Sequence, residues 1–191
     1  MKNLLYKTDG KLIHEDFWIE NAVEIKQEIL PSWIQESFLN REYYTLRITK
    51  PIILYRVYGN NAKKQGGFAS TEMPVDVSIV ERKCAIKKEF DNSLGEYITI
   101  QVPIGTVLQV GFVAPQLAND KLPNIPLCQY KGGAVQVILP LDFYEKNPNA
   151  IIENRKTPNF IRPLGAATLH IYSKNNDIQN MALNILNGGE D

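Results

Sequence analysis

The chain has 191 residues, of which 44% are hydrophobic and 22% are charged, as is typical of a globular domain and not of a disordered chain. Its 21 lysines and arginines balance its 21 aspartates and glutamates, so net charge gives no reason to expect nucleic acid or an anionic membrane as a partner. No apolar run reaches membrane-spanning length, and Lys7, Asp9 and Lys11 interrupt the start before a signal-peptide core develops. We therefore expect a protein that is cytoplasmic at synthesis.

The N-terminal region carries helix signals. Asp16 is placed to cap a segment whose apolar residues recur with a roughly helical spacing as far as Leu30. Pro31 ends that helix, and Ser32 is predicted to cap a second, short helix that runs to Leu39. Residues 1–50, which also include an extended segment at 41–48, are therefore assigned to an N-terminal helical region.

Residues 51–191 are assigned to a β-rich core, and the two regions together form one compact domain. Strands are predicted at 52–58, at 97–102 and at 107–114, where the last turns back through 103–106 to pair with the strand before it. Between the first two strands, a helix is predicted at 77–90. The chain therefore falls in the α+β class, with helices gathered mainly at the N-terminus and strands after it.

The C-terminal half contains a double glycine, Gly132 and Gly133, that runs into a strand ending near Ile138. Glycine lets a backbone take positive φ or approach a ligand closely. The remaining predictions are a connection at 141–157, a strand at 164–172 and a helix at 178–186.

Gln136 lies in this strand between apolar neighbours. A polar side chain in a buried strand needs a hydrogen-bond partner, from either the protein or a substrate. The alternative is a strand in which Gln136 simply faces solvent.

Arg56 lies in the apolar strand at 52–58. A guanidinium held there needs an anion, and its planar fork suits a pyrophosphate. The alternatives are a solvent-facing position on an edge strand or a pair with a carboxylate.

The loop at 66–71 offers flexible backbone, an aromatic ring and two hydroxyl groups. Phe68 suits stacking on a base or a nicotinamide ring, and Ser70 suits a contact with a ribose. The alternative for Phe68 is a ring that fills the core.

The cysteines and histidines do not form a metal-binding pattern. Cys84 and Cys128 are compatible with one disulfide or with two buried thiols, and His14 and His170 are isolated. We expect no metal site and no required cofactor.

Four segments in order resemble the tuberculosis necrotizing toxin family: 54–59, 67–70, 110–115 and 132–136. The resemblance covers about 51–140. It implies a compact ADP-ribosyltransferase-like core of twisted antiparallel strands and an NAD(P) glycohydrolase toxin that splits the nicotinamide–ribose bond. It also implies an immunity protein or antitoxin as a partner, since the activity would kill the producing cell.

The resemblance implies site residues as well. Gln136 matches a glutamine that the family requires for activity, and Arg56 matches its strand arginine; these two are the predicted catalytic residues. The predicted NAD(P)-binding residues are Tyr58, Gly67, Phe68, Ser70, Thr71, Gly132 and Gly133. The chain departs from the family at Ala134, which replaces a glycine, and in having no histidine between His14 and His170.

Two other functions fit the same residues. Arg56, the Ser70–Thr71 pair and Gln136 also follow the order of the arginine, serine and glutamate signature of mono-ADP-ribosyltransferases, with glutamine where the glutamate is expected. A non-catalytic protein that binds a nucleotide or a partner protein in the same cleft is the third candidate.

Overall fold

The computed structural model describes Ile19 and residues 21–116 and 130–159. These residues lie in the first of two units into which the chain divides, with the boundary after Asn159. The predicted strand at 164–172 and helix at 178–186 lie outside the described residues, as do Cys128 and both histidines.

Within these residues, eight antiparallel strands form one sheet in the order β1-β2-β6-β7-β4-β3-β5-β8, and the three α-helices found there are short. The strands are β1 Ala22–Glu24, β2 Tyr44–Ile48, β3 Ile52–Tyr58, β4 Phe68–Ser70, β5 Glu96–Val102, β6 Val107–Phe112, β7 Val135–Ile138 and β8 Ile151–Lys156. The helices are α1 Ser32–Gln35, α2 Val77–Lys83 and α3 Phe143–Lys146, with 3-10 turns at Leu39–Arg41 and Lys88–Phe90. The fold is therefore α+β in class and dominated by the antiparallel sheet.

Two short connections require this sheet to curl over on itself. Residues 49–51 join β2 to β3, and residues 103–106 join β5 to β6, although each pair of strands lies four places apart in the sheet. Apolar side chains from the two halves consequently meet in one core cluster, which includes Leu46 and Val110 from one half and Leu54 and Ile98 from the other. No helix of the described part is long and apolar enough to cross a membrane.

The predicted N-terminal helix is wrong over the residues that the structure describes. Residues 22–24 form β1, which pairs with β2 through Ala22 and Ile48. Val23 and Ile29 are 48% and 90% exposed, so the apolar positions do not share a buried face. The pairing of residues 22–24 with β2 therefore outweighs the helical spacing of the apolar residues in this segment. The second helix exists, but Ser32 is its first residue and no side chain caps it.

The predicted pairing of 97–102 with 107–114 is also wrong, although both segments are strands. Both edges of β5 are occupied, by β3 and by β8, while β6 pairs with β2 and β7. The connection predicted at 141–157 in fact contains α3 and β8. Four of the six side chains of β8 are polar and four are exposed, as suits an edge strand, so hydrophobic alternation gives little sign of it. The helix predicted at 77–90 ends at Lys83.

Asp76 caps the N-terminus of helix α2. Its Oδ1 accepts hydrogen bonds from the backbone N–H groups of Ser78, at 2.9 Å, and Ile79, at 3.3 Å. We expect Asp76→Ala to lower the free energy of unfolding by about 1 kcal/mol in urea denaturation, because these donors lose their acceptor. Ser32→Ala is the matched control, since Ser32 caps nothing and is exposed. Equal losses from the two substitutions would contradict the assignment.

Candidate functional site

A cleft of about 730 Å³ opens between the sheet and the segments that carry α1 and α2. Its lining includes Arg56 from β3, Phe68 and Ser70 from β4, and Gln136 from β7. Trp33 of α1 and Ser37, shortly after α1, also line it. Its volume lies within the range of roughly 300–1,000 Å³ that is usual for small-molecule sites.

The cleft lies where the sheet is joined most weakly. Strand β4 pairs with β3 at one position only, Tyr55 with Ser70, and it pairs with β7 along its whole length, including Ser70 with Gln136. Tyr55, Ser70 and Gln136 therefore lie side by side across three strands, and all three line the cleft. This register brings together residues that are far apart in the sequence.

Gln136 is 8% exposed and does not face bulk solvent. Its Nε2 donates a hydrogen bond of 2.7 Å to Oγ of Ser37, and no described residue donates to its Oε1. The amide therefore retains an unused acceptor in a residue that lines the cleft. Such a group can accept a hydrogen bond from a ligand hydroxyl or from a water molecule, but it is not a strong base.

Ser70 is half-buried beside Gln136. Its Oγ accepts a hydrogen bond of 3.1 Å from the backbone N–H of Glu72, which shapes the turn after β4. The hydroxyl hydrogen remains available to a ligand in the cleft. Thr71 and Gly67 flank β4 but are not among the described lining residues.

Arg56 contacts backbone carbonyls instead of a carboxylate. Its Nε donates to the carbonyl oxygens of Lys63 and Lys64, both at 3.2 Å, and Nη2 donates to that of Lys63 at 2.8 Å. Its Nη1 donates to the carbonyl oxygen of Phe68 at 2.7 Å, so the side chain joins β3 to β4 beside the single paired position. Burial lowers the pKa of this guanidinium, although the group stays charged.

The guanidinium retains some capacity to bind an anion. Arginine has five N–H donors, and the carbonyl contacts use Nε and one N–H on each terminal nitrogen. One N–H on each of Nη1 and Nη2 has no partner among the described residues. Both the predicted ligand contact and a structural contact are therefore compatible with the geometry of Arg56.

Gly66 is a functional position that sequence reasoning missed. A Cβ at this residue would overlap Nη2 and Cζ of Arg56, so only glycine lets the loop lie against the guanidinium. The double glycine at 66–67 is a signal for it, but nothing in the local sequence shows that an arginine ten residues earlier packs on this backbone.

Two aromatic rings stand at the cleft. Phe68 and Trp33 are 36% and 63% exposed, and their ring centroids lie 6.4 Å apart at an angle of 48°. Phe68 is consequently not a core residue. Trp33 is not a core residue either, because α1 has no buried residue. Together the rings provide apolar faces on which a heteroaromatic ring can stack.

Three predicted binding residues lie elsewhere. The hydroxyl of Tyr58 contacts the side chains of Glu96 and Asn154, next to β8. Gly132 has a φ of 69°, and a Cβ there would overlap the backbone of Val113 and Ala114. Its conformation is therefore required by the packing of the chain against itself. Gly133, with a φ of 90°, adjoins open space but is not among the described lining residues.

The charged side chains around the cleft are mostly paired with one another. Glu72 forms a 2.6 Å ion pair with Lys83, and Glu36 forms a 2.9 Å ion pair with Arg41. Arg56 has no carboxylate partner in the described part of the chain, and Nζ of Lys87 lies 5.5 Å from the centre of the Phe90 ring. The unpaired charges at the cleft are therefore positive, which favours an anionic ligand.

Cys84 lines the cleft but is a poor nucleophile. Burial raises the pKa of its thiol to about 11, with the nearby Glu72 carboxylate acting in the same direction. We expect a disulfide reagent to modify Cys84 about 100-fold more slowly at pH 8 than an ordinary thiol, because only the thiolate reacts. In a Cys128→Ser variant the rate should rise about tenfold per pH unit until pH approaches 11. A rate that levels off near pH 9 would contradict this pKa.

No group of three histidine, cysteine, aspartate or glutamate side chains that could hold a metal ion occurs among residues 19, 21–116 and 130–159.

No protein-family model matches the chain, and no curated protein matches it. Among solved structures, a chain from "Structure of Tne2 in complex with Tni2" is similar at 19% identity and a TM-score of 0.46. The match covers 62% of this chain and 94% of that chain.

Proposed function

We propose that the protein is an NAD(P)+ glycohydrolase toxin that cleaves the nicotinamide–ribose bond and releases nicotinamide and ADP-ribose or its 2′-phosphate. The observation that carries the proposal is the meeting of Gln136, Ser70, Phe68 and Arg56 in one cleft of about 730 Å³. Each of these residues was predicted from sequence to contact a nicotinamide dinucleotide. In this proposal the curled sheet is an ADP-ribosyltransferase-like core.

The chemistry needs little from the protein beyond orientation. The C1′–N bond breaks, its electron pair neutralises the pyridinium, and a ribose oxocarbenium ion forms. Water adds to C1′ and releases one proton to solvent. Because nicotinamide is a good leaving group, holding the ribose and admitting one water accounts for catalysis without a strong base.

Residues that line the cleft have the following roles in the proposed reaction. The free acceptor of Gln136 orients a ribose hydroxyl or the attacking water, and the hydroxyl of Ser70 contacts the ribose. Phe68 and Trp33 offer aromatic faces to the nicotinamide or the adenine. In the proposed complex the diphosphate accepts hydrogen bonds from the two N–H groups of Arg56 that the carbonyl contacts leave unused, which suits a cleft whose unpaired charges are positive.

Hydrolysis is favoured over transfer to a protein by the charges at the cleft. Glu36 and Glu72 are the acidic residues among the described lining, and each is held in an ion pair. Neither stands at the position of Gln136, where the transferase signature has its glutamate, and the amide present there is not a general base. A hydrolase of this kind would deplete the producer's own NAD(P), so we also propose an immunity protein that covers the cleft.

The test is to incubate micromolar purified protein with NAD+ or NADP+ and to measure the nicotinamide released by chromatography. Heat-denatured protein is the blank. Stoichiometric nicotinamide and ADP-ribose, or its 2′-phosphate, are expected. If no nicotinamide is released but NAD+ still raises the melting temperature, the protein is a nucleotide-binding module and the proposal is wrong. Labelling of proteins by tagged NAD+ would indicate a transferase instead.

A further inference from the structure

Ser37 links the main chain of the α1 segment to the amide of Gln136. Its Oγ donates a hydrogen bond of 2.6 Å to the carbonyl oxygen of Ile34 and accepts the 2.7 Å hydrogen bond from Nε2 of Gln136. The result is a directed chain of two hydrogen bonds that ends on a carbonyl group. Neither Ser37 nor this chain was indicated by the sequence.

This chain determines which way the amide of Gln136 points. A serine hydroxyl has one hydrogen to donate, and the Ile34 carbonyl can only accept. Once that hydrogen is committed to Ile34, Ser37 presents only a lone pair towards Gln136. The reversed amide would place Oε1 against that lone pair, so the arrangement favours Nε2 towards Ser37 and Oε1 away from it.

Ser37 is itself well anchored. Its backbone N–H donates to the carbonyl of Ile34 at 3.0 Å, and its carbonyl accepts from the N–H of Ala114 at 2.8 Å. The next residue, Phe38, is 1% exposed and forms a β-bridge with Val113. The hydroxyl is therefore held by the main fold and not by a loosely attached helix.

Gly111 makes this close approach sterically permissible. It is the Cα partner of Gln136 on the β6 side, and a Cβ there would overlap both the Phe38 ring and the carbonyl of Glu42. With glycine at this position, the Ser37–Phe38 segment can lie directly over β6 and reach Gln136.

We infer that Ser37 is a positioning residue that holds the amide of Gln136 with Oε1 directed into the cleft as a hydrogen-bond acceptor. The inference deepens the proposed function and rests on it for the consequence in turnover. The orientation of the amide follows from the protein alone, so it can be tested without any substrate.

The first test is the exchange rate of the Gln136 side-chain NH2 protons in ¹⁵N-labelled protein, with the resonance assigned by its loss in Gln136→Ala. Slow exchange with water is expected in the wild type and in Ser37→Thr, which retains the hydroxyl. At least tenfold faster exchange is expected in Ser37→Ala. Ser32→Ala, the same change at an exposed position of α1, should leave the rate unaltered.

The second test is steady-state turnover of NAD+ by the same variants. Ser37→Ala should lower kcat about tenfold with little change in KM, and Ser37→Thr should restore kcat to within about threefold of the wild type. Exchange that is equally fast in the wild type and in Ser37→Ala would overturn the inference, as would an unchanged kcat in an active enzyme. If the wild type releases no nicotinamide, the proposed function fails while the exchange measurement still decides the orientation of the amide.

Discussion

Gln136→Ala is expected to reduce kcat for nicotinamide release by about 100-fold, which is the order of loss seen when one oriented hydrogen-bonding group is removed from a transition-state site. The variant loses the free acceptor that we assign to the ribose or to the attacking water. KM should change little, because in the proposed complex the diphosphate and the aromatic rings of the substrate contact other residues. The measurement is initial rate against NAD+ concentration.

Gln109→Ala is the matched control for this substitution. Gln109 is another buried glutamine of the same sheet, its Nε2 donates to Glu28 at 2.9 Å, and it does not line the cleft in the described part of the chain. Its kcat should remain within about threefold of the wild type. If Gln136→Ala were no slower than Gln109→Ala, Gln136 would be a structural residue and the proposed mechanism would be wrong. The melting temperatures of both variants show whether a reduced kcat results from unfolding of the protein.

Arg56→Ala is expected to lower the free energy of unfolding by about 3 kcal/mol, since it removes a charged donor from the carbonyls of Lys63, Lys64 and Phe68. Removal of a buried charge also relieves a desolvation cost, which keeps the loss below the sum of the separate hydrogen bonds. Urea denaturation is the measurement. The control is Arg41→Ala, which breaks an exposed ion pair with Glu36 and should cost less than about 1 kcal/mol.

Gly66→Ala provides an independent check of the same contact. The added methyl would displace the guanidinium from its carbonyl partners, whereas at the adjacent Gly67 the nearest atom to an added Cβ is 3.8 Å away. Gly67→Ala should therefore be close to neutral in stability. In an Arg56→Ala background the cost of Gly66→Ala should largely disappear, because the atoms that it overlaps are gone. Additive effects would contradict the packing of Arg56 on Gly66.

Secondary structure was predictable where a segment carried its own signal. The β-branched and aromatic run of β3 and the apolar strand β7 after the double glycine were assigned correctly. The short strand β1 was not, because its backbone partner is β2, and no residue within 22–24 specifies that pairing. The polar edge strand β8 was missed for the related reason that an exposed strand buries few side chains.

The residues of the site also differ in whether the local sequence indicates them. A glutamine or an arginine inside an apolar strand is visible in the sequence because its polarity conflicts with its neighbours, and both line the cleft. Ser37 and Gly66 have no such conflict around them. Their importance comes from one contact each, with Gln136 and with Arg56, and those contacts exist only after distant segments have packed together.

The sequence alone indicates the α+β class, most of the core strands, and several of the polar and aromatic residues that line the cleft. The local pattern of side chains is enough for these conclusions, because strand propensity and a misplaced polar group are properties of a few neighbouring residues. The order of the strands is visible only in the tertiary structure, and so is the single paired position between β3 and β4 beside which the cleft lies. The tertiary structure also decided the direction in which the amide of Gln136 points. These features depend on pairing between distant segments, where burial and hydrogen-bond satisfaction outweigh local propensity.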